Sequence, residues 1–158
     1  MEGGNQEFMQ QAIALAVENV TSGRGGPFGA VIVKDGKVIA TGANQVTATN
    51  DPTAHAEVTA IRNACASLAA FQLEGCDIYS SCEPCPMCLA AIYWARCRTI
   101  YYGSTAADAA NAGFDDAFLY EEMKKALGDR ALPVVNLCQE DARKAFVAWN
   151  ESPMKVEY

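Results

Sequence analysis

Only one histidine, His55, occurs in the 158 residues, and no basic residue precedes Arg24. The second lack leaves the N-terminus without the positive region that a secretory leader requires, so a cytoplasmic location is expected. No apolar run exceeds the nine residues from Met87 to Ala95, far short of the roughly 18 that suggest a membrane span. Basic residues are scarce: 12 Lys and Arg stand against 19 Asp and Glu, for a net charge of -7, and Lys124-Lys125 is the densest pair. A polyanion-binding surface is not expected, nor is nucleic acid as a partner. No repeat, low-complexity tract or Pro/Ser-rich linker divides the chain. Apolar residues at 51% with charged residues at 20% exclude a disordered or collagenous chain. The length suits a single domain over residues 1–150, followed by a tail at 151–158 that stands apart.

Seven cysteines cannot all pair in intrachain disulfides. Without a leader, clustered cysteines read as metal ligands and the others as reduced core residues. Met9, Ala12, Ile13, Ala16, Val17 and Val20 recur at helical spacing and predict a first helix, ended by Gly23. The runs 28–33 and 37–41 flank Asp35-Gly36 and predict an antiparallel hairpin. Val58, Ile61, Cys65 and Leu68 line a second helix, after the stop at Asn50-Asp51-Pro52-Thr53. A strand at 76–80, a third helix opened by Pro84 and running to Arg96, and a strand at 99–103 follow. Beyond them come a helix to about Lys125, a fifth strand at 133–138, and a final helix carrying Ala142, Ala145, Phe146 and Trp149. The expected fold is a three-layer α/β/α domain with a mixed five-stranded sheet.

His55-Ala56-Glu57 is followed, after 26 residues, by Pro84-Cys85-Pro86-Met87-Cys88. One imidazole and two thiolates are the three ligands of a catalytic zinc, whose fourth position is left to water. Cys85 and Cys88, three residues apart in a first helical turn, share a side, and the positive helix end favours thiolates, so zinc is expected to enter at no further cost in deprotonation. Glu57 lies two positions from His55, a step of about 200 degrees in mid-helix, so the two converge only at a helix end. There Glu57 reaches the catalytic water without ligating the metal and serves as a proton shuttle.

These paired motifs resemble the zinc-dependent cytidine deaminase superfamily, whose signature they reproduce. The similarity runs from Gly25-Gly26-Pro27-Phe28-Gly29-Ala30 to at least Asp116, through Asp51-Pro52-Thr53-Ala54-His55-Ala56-Glu57, Ser81-Cys82-Glu83-Pro84-Cys85-Pro86-Met87-Cys88 and Gly113-Phe114-Asp115-Asp116. Within the superfamily the chain is most similar to the small bacterial guanine deaminases, with the last segment the most discriminating. The resemblance implies hydrolysis of guanine to xanthine and ammonia in purine metabolism, with one Zn2+ per chain held by His55, Cys85 and Cys88. It further implies that Glu57 and Asp116 are catalytic, that Phe28, Asn44 and Asp116 bind the purine, and that the chains pair as homodimers.

Other readings compete. The run Cys82, Cys85, Cys88, with Cys76 as a fourth ligand, resembles an iron-sulfur or structural-zinc module, but leaves His55 and Glu57 without a role. A tRNA adenosine deaminase needs phosphate contacts, and residues 139–158 hold only Arg143, Lys144 and Lys155. Deamination of guanosine or another nucleoside or nucleobase stays open, as do the roles of Asp115, Trp94 and Cys82. Trp94 is expected in the core or at a subunit contact, and Cys65, Cys97 and Cys138 in the core. Met154, Val156 and Tyr158 alternate with polar residues, the period of an extended segment on a surface, and Tyr158 is expected to cover the substrate as part of a lid.

Overall fold

The Asp35-Gly36 turn closes the expected hairpin between β1 (Gly29–Lys34) and β2 (Lys37–Ala43), which pair antiparallel. The structure is a computed structural model that describes residues 3–158. These fall into two compact units, one ending at Asp116 and the other running from Ala117 to Tyr158. In the first unit β3 (Cys76–Cys82) pairs antiparallel with β1 and parallel with β4 (Thr99–Ser104), giving a mixed sheet in the order β2-β1-β3-β4.

Period-two alternation sends successive residues of the central strands to opposite faces. Ala30 and Ile32 of β1 and Ile78 of β3 join one core with the second long helix, α3 (Ala56–Leu68), and with Ile92 of α4 (Pro86–Trp94). Val31, Val33 and Tyr79 join the other core with Ala12 of α1 (Gln6–Thr21). Two short helices were not foreseen: α2 (Val46–Thr49) and α5 (Ala106–Asn111), the latter begun by a capping box between Thr105 and Asp108.

The helices bury small residues more deeply than apolar bulk predicts, although Ile61 and Cys65 of α3 and Met9 of α1 also pack against the cores. On α3 the buried residues are Ala56, Glu57, Ala60 and Ala64, whereas Leu68 is exposed. On α1 they are Ala12, Ala16 and Asn19, with Val17 and Val20 exposed. The cause is close approach. A Cβ on Gly42 of β2 would stand 2.3 Å from Ala56 O and 2.4 Å from Ala60 N, so α3 rests its backbone on the strand and presents only alanines there. The third long helix begins at Pro86, with Cys85 as its N-cap, so Pro84 does not open it.

In the second unit α6 (Ala117–Lys124), a 3-10 turn (Leu127–Asp129) and α7 (Gln139–Glu151) are the regular elements. The expected fifth strand at 133–138 is absent, and the sheet among the described residues has four strands. Apolar content alone does not make a strand, since its backbone needs a ladder partner. Here Val135 and Leu137 are 80% and 82% exposed. No residue of α7 is buried, so its expected core face, including Phe146 and Trp149, is exposed. Among the described residues no helix is long and apolar enough to cross a membrane.

The Gly42 contact makes a test of packing. Overpacking costs about 1–3 kcal/mol, and Gly42→Ala is expected to lower Tm by roughly 3–10 °C and to loosen zinc retention, because α3 carries the metal loop. A calorimetric Tm unchanged from wild type would show that α3 can move aside freely.

Candidate active site

Two helix N-termini meet at the site. Ahead of α3, Thr53 donates from its backbone N (2.8 Å) and from Oγ1 (2.7 Å) to Asp51 Oδ1. Arg62, on α3, reaches Asp51 Oδ2 at 3.4 Å and Thr53 Oγ1 at 3.3 Å. The Thr53 bonds, aided by Arg62, hold the Asp51 carboxyl below its ordinary range. This staple presents His55 in extended conformation as the N-cap of α3, with Glu57 in the first turn. Cys85 caps α4 in the same extended state, and Pro86 starts the helix without needing an N–H partner. Cys88 follows in the first turn.

His55 Nδ1 lies 3.6 Å from Cys85 Sγ and 3.5 Å from Cys88 Sγ. Zn–N near 2.0–2.1 Å and Zn–S near 2.3 Å at a tetrahedral angle would set N and S about 3.6 Å apart, so the donor set fits zinc. These are the described residues whose ligand atoms all lie within 4.8 Å of one another. The Cys88 thiol and the His55 ring hold the Cys85 thiol down to about 4, while Cys85 and burial push Cys88 far up. His55 is pushed up as well, chiefly by its bond to Cys85. Metal binding at this cluster is linked to deprotonation of both cysteines.

Glu57 is 5% exposed. Ser80 Oγ donates to its Oε1 at 3.0 Å and the Cys88 thiol to its Oε2 at 3.4 Å. Burial is the main reason that its carboxyl is pushed above the ordinary range. Nearby, Asn44 at the end of β2 is 8% exposed, donates from its backbone N to Phe28 O (3.1 Å), and accepts at Oδ1 from Val46 N (3.3 Å). Asn19 Nδ2, from α1, donates to Gly26 O (2.8 Å) and Asn44 O (2.9 Å), tying both segments together. The φ of +91° at Gly113 lets the chain turn so that Phe114 meets Phe28 edge-on, with centroids 5.0 Å apart. Asp116 follows, and burial, then the Cys85 charge, pushes its carboxyl up. Tyr158 belongs to the second unit and is 71% exposed.

Several sequence expectations change. Cys82 does not join the ligands: its thiol, pushed up to about 11 by burial, donates to Thr105 O at 3.6 Å. It lines a groove of about 490 Å³ with Ser81, Phe28 and Phe114. Cys76 is packed in the core, so the iron-sulfur reading loses two of its four ligands. Cys138 is exposed rather than core, and Trp94 is 62% exposed, with the Arg96 guanidinium 5.8 Å from its ring centroid. Sequence reasoning missed Ser80 and Asn19. The signal for Ser80 was a hydroxyl on the apolar row of Cys76 and Ile78, in a strand buried throughout.

A nitrogen-and-sulfur ligand triad beside a buried carboxylate, mounted on two helix ends over a mixed sheet, defines a zinc-dependent deaminase domain. The chain belongs to the cytidine and deoxycytidylate deaminase family, whose zinc-binding region matches residues 3–104. It is 53% identical to the guanine deaminase of Bacillus subtilis strain 168 over 154 residues, 98% of this chain and 99% of the relative. The X-ray structure of guanine deaminase from B. subtilis superposes with a TM-score of 0.95 at 52% identity, covering 99% of each chain. A guanine deaminase from Nitrosomonas europaea gives a TM-score of 0.68 at 30% identity over 72% of this chain and 66% of its own. The tRNA-specific adenosine deaminase of Agrobacterium fabrum is also 53% identical, but over 78 residues, 49% of this chain and 51% of the relative. The fold is thus cytidine deaminase-like α/β, and zinc is the cofactor.

Purified protein is expected to hold a single zinc per chain. His55→Ala, Cys85→Ala and Cys88→Ala should each lose most of it and melt at lower temperature, since zinc ties α3 to α4. Full zinc occupancy in Cys88→Ala, by elemental analysis, would remove that residue from the ligand set.

Proposed function

We propose that the chain catalyses hydrolytic deamination of guanine to xanthine and ammonia, in cytoplasmic purine metabolism. The observation that carries this reading is the match to a guanine deaminase at 53% identity over 98% of the chain, whereas the structure of a tRNA:A34 deaminase that covers 97% of the chain is 31% identical, with a TM-score of 0.61. The first unit acts as a three-layer deaminase domain, with α1 on one face of its sheet and α3 and α4 on the other.

His55, Cys85 and Cys88 hold the zinc, which when bound supplies an acidified water at neutral pH. Glu57 takes a proton from the attacking water, passes it to a ring nitrogen as C2 becomes tetrahedral, and helps protonate the departing amine. Its burial keeps that carboxylate out of bulk water. Phe28 packs on the purine face, buttressed by Phe114. Asn44, its oxygen taken by Val46 N, offers its NH2 to the ring. Asp116 accepts from the purine N–H edge or assists proton transfer.

A substrate panel tests the reading: ammonia release from guanine, guanosine, cytosine, cytidine, adenine and an adenosine-containing anticodon stem-loop. Guanine is expected to be turned over fastest, and Asp116→Asn to depress that turnover while keeping zinc. A panel in which guanine is inert would overturn the substrate while leaving the family standing.

Met154, Val156 and Tyr158, 85%, 58% and 71% exposed, form the apolar side of the tail, which serves as a lid over its own site or that of a second subunit in a homodimer. The exposed Tyr93 and Trp94 of α4 suit a subunit contact. Excluding water at the mouth of the site strengthens the polar contacts within it. Deleting residues 154–158 is expected to lower kcat/KM for guanine by about tenfold, equivalent to about 1.4 kcal/mol, with zinc content and Tm nearly unchanged. Unaltered guanine kinetics in the truncated enzyme would leave the tail without a role.

A further inference from the structure

Ser80 sits within β3 with 2% of its surface exposed, on the face that Cys76 and Ile78 also share. A hydroxyl buried on an apolar row costs free energy unless it is bonded, and a valine would pack there without that cost. The bond Ser80 makes is to Glu57, Oγ donating to Oε1 at 3.0 Å. The other oxygen, Oε2, is met by the Cys88 thiol at 3.4 Å. A cysteine that ligates a metal is a thiolate and has no proton to give, so Ser80 is the side-chain donor to this carboxylate that persists once zinc is bound. The terminal torsion of a glutamate is broad, and an unheld carboxylate swings about it.

We propose that Ser80 is a positioning residue for deamination: its hydroxyl pins Oε1 of Glu57 against β3 and turns Oε2 toward the metal ligands, so that one defined oxygen carries the protons. The proposal rests on Glu57 being the proton carrier. A misplacement of about 1 Å in a reacting group can cost on the order of 10²-fold in rate, so the hydroxyl governs kcat without touching substrate.

The test measures kcat, KM and zinc content for Ser80→Ala and Ser80→Thr, with Ser80→Ala also built on Glu57→Gln. Ser80→Ala should lower kcat for guanine by roughly 10- to 100-fold, with KM and zinc content unchanged. Ser80→Thr, which keeps the hydroxyl on a side chain suited to a strand, should recover most of that loss. On Glu57→Gln, where no proton can be carried, Ser80→Ala should add no further loss in single turnovers. An unchanged kcat, a loss that follows zinc content, no rescue by threonine, or an equal loss in the glutamine background would overturn the role of Ser80. Near wild-type turnover by Glu57→Gln alone would instead remove the proton carrier on which the proposal stands.

Discussion

The site depends on how closely α3 lies on the sheet. A Cβ on Gly42 would stand 2.3 Å from Ala56 O and 2.4 Å from Ala60 N, so the helix backbone sits nearer β2 than even one methyl group on that residue would permit. That distance lets Glu57, in the first turn, reach Ser80 on β3, and lets His55, the residue before the helix, face the first turn of α4. A helix held off by leucines would carry the same motif and leave Glu57 short of the strand. The alanines are thus as much a part of the active site as its ligands.

Burial then sets the chemistry. Glu57, Cys85, Cys88 and His55 are all withdrawn from water to some degree, and each is charged or neutral according to what its neighbours hold. Desolvating ionisable groups is costly unless opposite charge or hydrogen bonds compensate, and a divalent cation supplies that compensation in one step. Zinc is therefore a part of the fold at this place as well as a reagent.

Much of this was legible in the sequence, where local chemistry decides structure. Asp35-Gly36 closes the hairpin, and the Asn-Asp-Pro-Thr stop puts His55 and Glu57 at a helix end where a step of two residues can converge. What was not legible depends on contacts between distant segments. Apolar bulk placed the buried face of α3 on Val58, Ile61, Cys65 and Leu68, of which Ile61 and Cys65 do pack against the core, but nothing local announces that Gly42 will meet the helix backbone and bury Ala56, Ala60 and Ala64. The run 133–138 has strand composition, but a strand is a pairing and not a composition. Ser80 and Asn19 look like ordinary polar residues until the tertiary fold gives each a partner 23 or 25 residues away.

Asn19 touches neither metal nor any of the proposed catalytic groups. Its single amide nitrogen nevertheless joins the carbonyls of Gly26 and Asn44, and so sets the separation of the two segments that carry Phe28 and Asn44. In evolutionary terms, the spacing of the two segments proposed to meet the base is held from α1, which packs on the opposite face of the sheet from α3. A substitution on α1 can therefore change that spacing with Phe28 and Asn44 themselves left as they are.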